Sequence, residues 1–237
     1  MHGSWCWKPV AELLDSAGHR VFTPTLTGQG ERANELTRKT GVADHLDDVS
    51  SVIVNSQLTE VIVVLHSYSG ILAGPLAQRH SGAIRTIVGA GAFLANDGEN
   101  LMEVEPPEVG AAYQGLVRHG GEGWRVPVRK SFMDKWGIED PELRAYVGAR
   151  LTDFPAKCLT DRVSFDQIYL DSLTRHYIEH TSPPLDSLNF SRERAQANTW
   201  KMHTIASGHD FMLSDPQGTA EILNWISRQN QPAVLPS

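Results

Sequence analysis

Two short runs of this sequence hold residue types that do chemistry together. Leu65-His66-Ser67-Tyr68-Ser69-Gly70 closes an apolar run, Val61 to Leu65, and opens a helix-like stretch. A serine at such a turn is a nucleophile elbow: the tight bend exposes its hydroxyl at the sheet edge, and the new helix N-terminus favours developing negative charge. Far downstream, Gly208-His209-Asp210 precedes the closing helix. A histidine on a loop after the last strand reaches over the sheet edge and takes the serine's proton as general base. Met1 is followed at once by His2-Gly3-Ser4-Trp5, a turn whose main-chain N–H groups, with that of Tyr68, would bind an oxyanion; Ser4 is the contributor by position.

Each residue also has a plainer reading. Ser67 reads as a helix cap, and His209 as a surface-loop histidine, one of 10 in the chain. The elbow pattern wants glycine two residues either side of the serine. Those positions hold Leu65 and Ser69; Ser69 is small enough, whereas Leu65 departs from the pattern. His66 neighbours the nucleophile and is expected to point away from it as a structural residue. Gly28-Gln29-Gly30-Glu31-Arg32-Ala33 imitates a dinucleotide fingerprint, but no clear helix begins there to receive a pyrophosphate.

These residues need a frame, and helical and strand patterns alternate along the chain. That alternation predicts a mostly parallel sheet covered by helices, an α/β fold. Val10 to Ala17 reads as a helix stopped by Gly18, and His19 to Leu26 as a strand. Asp44 to Ser56 is amphipathic, with Leu46, Val49, Val52 and Ile53 on one face. Glu60 to Leu65 and Ile84 to Phe93 read as strands buried on both sides, with a helix from Ile71 to Arg79 between them. Leu173 to His180, Trp200 to Ala206 and a helix from Thr219 to Arg228 complete the core, so the core spans 1–96 and 172–230. Residues 97–171 form an insertion with short helical pieces around Pro107–Val117 and Pro141–Leu151, read as a lid over the sheet's carboxyl edge. Trp124, Phe132 and Trp136 either line a pocket there or pack the lid's own core. Residues 231–237 read as a frayed tail.

Bulk properties narrow the function. The 237 residues suffice for one domain with its own core. A net charge of −7 with no basic run argues against nucleic acid and against an anionic membrane surface. No apolar stretch approaches the roughly 20 residues of a membrane span. Cys6 and Cys158 show neither metal-ligand spacing nor a disulfide framework, so the expectation is a free-thiol cytoplasmic protein with no metal and no cofactor. The expected partner is a small-molecule substrate, with a homodimer as a possible assembly.

With His2-Gly3 near the start, His66-Ser67-Tyr68-Ser69-Gly70 at the elbow and the run from Gly208-His209-Asp210 to Ser214-Asp215-Pro216, the chain resembles the α/β-hydrolase superfamily. More closely, it resembles the small bacterial esterases grouped with plant methyl esterases and hydroxynitrile lyases. The resemblance covers Met1–Phe93 and about Leu173–Arg228. It implies the α/β-hydrolase fold, a nucleophile at Ser67, a base at His209 and oxyanion donors at the N–H groups of Ser4 and Tyr68. The implied reaction is hydrolysis of a small, largely apolar ester or carbamate through an acyl-enzyme. Amide hydrolysis and non-catalytic binding of a small ligand are the alternatives.

The chain departs from this pattern at three places. The triad acid usually follows the strand matched by Leu173–His180, but Thr181-Ser182-Pro183-Pro184 stands there. Asp97, Glu179 and Asp186 are the substitutes, or a Ser–His dyad oriented by a backbone carbonyl or water. The lyases carry a lysine after the catalytic histidine, where this chain has Asp210, which sets the lyase reading aside. Finally, the apolar strand that such proteins carry before the His-Gly turn is missing. The expectation is a start that is mis-set or shortened by one core strand.

Overall fold

The structure, a computed structural model, describes residues 1–229; the frayed tail expected at 231–237 lies outside them. Lys8–Ser16 forms α1, Val42–Asn55 forms α2 and the β-branched run Val61–His66 forms β1. Ala73–Arg79 (α3) carries the chain to Ile84–Ala90 (β2). The stretch that follows holds short helices, Leu101–Val104 (α4), Pro107–Gly120 (α5), Ser131–Lys135 (α6), Pro141–Gly148 (α7), Lys157–Thr160 (α8) and Gln167–Asp171 (α9). Within it Arg125–Val126 (β3) pairs antiparallel with Phe154–Pro155 (β4). Thr174–His180 (β5), Asn189–Ala197 (α10), Lys201–Ile205 (β6), Phe211–Ser214 (α11) and Pro216–Gln229 (α12) close the chain.

The core sheet runs β1-β2-β5-β6, every neighbouring pair parallel, as the alternating sequence pattern predicts. Successive strand residues point to opposite faces. On β2, Ile87 therefore joins a core with Ile53 of α2 and Leu76 of α3, while Val88 joins Val10 of α1 and Ile226 of α12. Both faces are thus covered, and each fully buried aliphatic side chain contributes about 1.5–3 kcal/mol. All four core strands point their carboxyl ends to one edge, which is where β1 delivers Ser67 and β5 delivers His180.

One expected strand does not form. Residues 19–26 make no ladder, although they run as non-helical chain past the sheet. β propensity gives a strand only where a partner offers hydrogen bonds, and here a cavity of about 630 Å³ lies between this segment and β1. Phe22 and Leu26 line one side, Ile62 and Val64 of β1 the other, with Val10 and Ile53 from the two helical layers. Among the described residues β1 pairs with β2 alone. Fusing an apolar strand of about six residues to the amino end is expected to pair that open edge and raise the melting temperature. Each kcal/mol gained is worth about 2–4 °C, and an unchanged melting temperature would show that the cavity does not take a strand.

Candidate active site

The elbow's geometry comes from three fixings. Ser67 has φ +54°, a left-handed conformation that a non-glycine residue holds only when its surroundings impose it. Phe93 N–H donates to the Ser67 carbonyl at 3.0 Å, and Ser69 Oγ donates to the His66 carbonyl at 2.8 Å. A Cβ on Gly70 would stand 2.4 Å from the Phe93 carbonyl oxygen, so the close approach that demands glycine falls there. Leu65, the departure from the pattern, is accommodated because its side chain is turned into the core beneath the sheet.

His209 is held by its backbone. Its N–H donates to the Trp136 carbonyl at 2.8 Å, and Gly208 lies so close to that carbonyl that a Cβ would be 2.5 Å from it. His66 Nε2–H donates to the His209 carbonyl at 3.0 Å, with the two rings 4.6 Å apart. His66 therefore does not point away, as the sequence suggested; it is packed on His209. The result is a contact between His209 Nε2 and Ser67 Oγ at 3.0 Å, across 142 residues of chain. Burial, reinforced by His66, pushes the His209 imidazole well below its ordinary 6.5, so it is neutral and able to accept a proton at neutral pH.

The third member is not where the sequence could look for it. Asp97 accepts from Phe165 N–H at 2.9 Å, Glu179 accepts from Thr204 Oγ1 at 3.1 Å, and Asp186 is exposed at the start of a 3-10 turn. None reaches the base, because each sits at a surface loop or strand edge already engaged or solvated. Among the described residues, His209 Nδ1 is buried without a hydrogen-bond partner. Its neighbour is His180, whose ring is 5.0 Å away and whose two nitrogens are likewise unpartnered among those residues.

Sequence reasoning also missed a buried ion pair. His2 Nε2 lies 2.9 Å from Asp210 Oδ2, and Asp210 is fully buried. Burial raises its carboxyl, but the His2 ring, joined by His66 and His209, more than offsets that and holds it at about 2. The adjacency of Asp210 to His209 was the available signal; the partner 208 residues earlier was not.

The oxyanion expectation is corrected in part. Ser4 N–H donates to Thr25 Oγ1 at 2.7 Å and is spent, because its turn is tied to the Thr25–Glu31 loop. Tyr68 N–H opens the 3-10 turn Ser67–Leu72, where no carbonyl within the turn can accept it. Of the three aromatics considered, only Trp136 lines the cavity that reaches Ser67 and His209. Trp124 lies under the guanidiniums of Arg38 and Arg125, at 5.5 and 5.3 Å, and Phe132 stacks on Trp136 at 5.8 Å. The Gly28–Ala33 loop holds no phosphate cradle: Arg32 is tied to Glu35 and Asp48 at 2.6 and 2.7 Å.

A model of the Alpha/beta hydrolase family matches residues 1–222. The chain belongs to the α/β hydrolase family. Among curated relatives of this α/β hydrolase, the carbendazim hydrolyzing esterase of Nocardioides sp. (strain SG-4G) is 40% identical over 118 residues, 48% of this chain and 49% of that protein. That match spans about half the relative's length. Methylesterase 7 of Arabidopsis thaliana is 27% identical over 252 residues, covering 94% of the chain and 91% of that protein. An extracellular alpha/beta-hydrolase from a Paenibacillus species superposes with a TM-score of 0.82 at 18% identity, covering 94% and 93% of the two chains, which is a likeness of fold.

The buried imidazoles give the hydrolase a pH signature. Burial holds His66 and His180 at about 4, against an ordinary 6.5. Between those values the unfolded chain binds protons that the folded one refuses, so stability is complete above 6.5 and falls as pH drops toward 4. At about pH 5 each such histidine is expected to cost on the order of 2 kcal/mol. Urea unfolding compared at about pH 7.5 and about pH 5 reads this directly, and equal midpoints would rule it out.

Proposed function

We propose that this α/β hydrolase is a cofactor-independent serine esterase acting on a small, largely apolar carboxylic ester or carbamate. The observation that carries it is the 3.0 Å contact between Ser67 Oγ and His209 Nε2 at a positive-φ elbow. Ser67 attacks the carbonyl while His209 Nε2 takes its proton, and Tyr68 N–H donates to the oxyanion. His209 then protonates the leaving group and activates water against the acyl-enzyme. The relatives' names, an esterase and a methylesterase, support the ester class. The walls near the site, with Leu101, Val126, Phe154 and Leu159, suit an apolar acyl or alcohol group. No helix among the described residues is long and apolar enough to cross a membrane, and both cysteines are buried and unpaired, which fits the cytoplasm.

A serine-reactive phosphonate is expected to label Ser67 in the folded protein. Matched methyl ester and methyl carbamate substrates then separate the two classes by turnover. A second reading, a non-catalytic binder, draws on the orphaned His209 Nδ1 and the spent Ser4 N–H. Absence of any adduct at Ser67 would favour it.

A further inference from the structure

Tyr68 follows the nucleophile directly, and its side chain is held at both ends. Tyr68 Oη lies 3.0 Å from Nδ1 of His45, a fully buried residue of α2. His45 Nε2 lies 3.0 Å from the Thr27 carbonyl oxygen, which can only accept, so Nε2 carries the hydrogen. Burial lowers the His45 imidazole below its ordinary 6.5 and keeps it neutral. Nδ1 is then an acceptor with one lone pair, and the Tyr68 hydroxyl donates to it; the Cys158 thiol, 3.6 Å from the same nitrogen, is the weaker donor. The far end of this chain of bonds is fixed as well. Thr27 N–H and Oγ1–H donate to the Asp48 carboxylate, one turn along α2 from His45, at 2.6 and 3.0 Å. The Tyr68 ring packs edge-on against Phe154, with centroids 4.8 Å apart. A tyrosine side chain turns about two bonds, so a bonded hydroxyl and a packed ring leave it one position.

We propose that His45 is a positioning residue for oxyanion stabilisation: through the Tyr68 hydroxyl it holds the Tyr68 main chain, so that its N–H meets the charge developing on the substrate carbonyl. Of the two expected donors, Ser4 N–H is spent on Thr25 Oγ1, which leaves Tyr68 N–H. Such a donor works only within about 2.7–3.1 Å of the developing oxyanion. Tyr68 stands between Ser67, whose φ is +54°, and the rest of a short 3-10 turn, so no regular helix fixes its N–H. The tether supplies that support from α2 instead. His45 does not line the cavity; its effect runs through Tyr68, which does. This inference rests on Ser67 and His209 being the reacting pair.

The experiment compares the wild type, Tyr68→Phe, His45→Leu, His45→Asn and the Tyr68→Phe, His45→Leu double variant on one ester. Active sites are counted first, by end-point labelling of Ser67 with a phosphonate, and kcat is expressed per labelled site. Tyr68→Phe keeps the ring and removes one oxygen, so it breaks the bond without a change of packing. It and His45→Leu are each expected to lower kcat roughly 10- to 100-fold at nearly unchanged KM, short of the about 10²- to 10³-fold cost of losing an oxyanion donor outright. An alkyl boronic acid, whose tetrahedral adduct with Ser67 presents an oxygen to the same N–H, should lose affinity by the same factor. The double variant should be no slower than the slower single one, because both changes break one bond. His45→Asn places an amide oxygen near the Nδ1 position and should recover most of the rate. A purely structural role for His45 would lower the labelled fraction and the melting temperature, with kcat per labelled site unchanged. That result, or a loss confined to KM with boronate affinity intact, would overturn the proposal. A wild type that takes no phosphonate refutes the reacting pair, and the tether falls with it; a wild type that labels while Tyr68→Phe keeps full kcat refutes the tether alone.

Discussion

Replacing Ser67 by alanine is expected to lower turnover of a reactive ester by roughly 10⁴- to 10⁶-fold with little change in KM. The substitution removes the atom proposed to bond covalently to substrate, while the pocket walls stay in place. His209→Ala should fall about as far, because an unactivated hydroxyl is a weak nucleophile at neutral pH. The double variant should be no slower than either single one. Groups that act as a unit fail as a unit, and that non-additivity separates a reacting pair from two residues that each merely support the pocket. The measurement is single-turnover acylation with matched thermal melts. Losses that simply multiply in the double variant would show that Ser67 and His209 do not work on the same step.

Why this pair could be read in advance is a matter of locality. The elbow is a strand running into a turn and helix within a dozen residues, so Val61 to Gly70 announces it without help from the rest of the chain. His209 is similar, set between the last core strand and the helices that close the chain. The supports are different. His66 on the His209 carbonyl, Trp136 on the His209 N–H and His2 on Asp210 join residues 143, 73 and 208 positions apart. Alternation of apolar and polar residues says which face of an element is buried, and is silent on which partner it meets. The close approach at Gly70 is likewise invisible until Phe93 is folded over it.

The failed expectations share one cause. Residues 19–26 have the composition of a strand, but a ladder is a property of two strands, and propensity speaks for one. The acid expected near the second core strand and the strand ending at His180 is absent for a related reason: the carboxylates there are engaged elsewhere, and the ring beside His209 is that of His180, 5.0 Å away, which sequence position alone does not reveal.

The largest loss of stability is expected from His2→Ala. Asp210 is completely buried and ionised, its Oδ2 faces His2 Nε2 at 2.9 Å, and its Oδ1 has no partner among the described residues. Truncating His2 leaves that charge uncompensated, a change that costs about 3–5 kcal/mol in buried pairs. The pH dependence identifies the cause. With His2 in place the Asp210 carboxyl is held at about 2, below its ordinary 3.8, so its contribution is present above 3.8 and lost as pH falls through about 2. Without His2, burial is opposed by His66 and His209 alone, and where it prevails the carboxyl is raised above its ordinary value. The variant then loses stability as pH rises, and the gap to the wild type widens from acid to neutral. Asp210→Asn in the His2→Ala background removes the stranded charge and should recover part of the loss. Urea unfolding of these proteins across pH decides it: a gap that stays constant from about pH 3 to about pH 7 would mean that His2 acts by packing against Trp5 and Trp136, at 5.2 and 5.1 Å, and not by holding a charge.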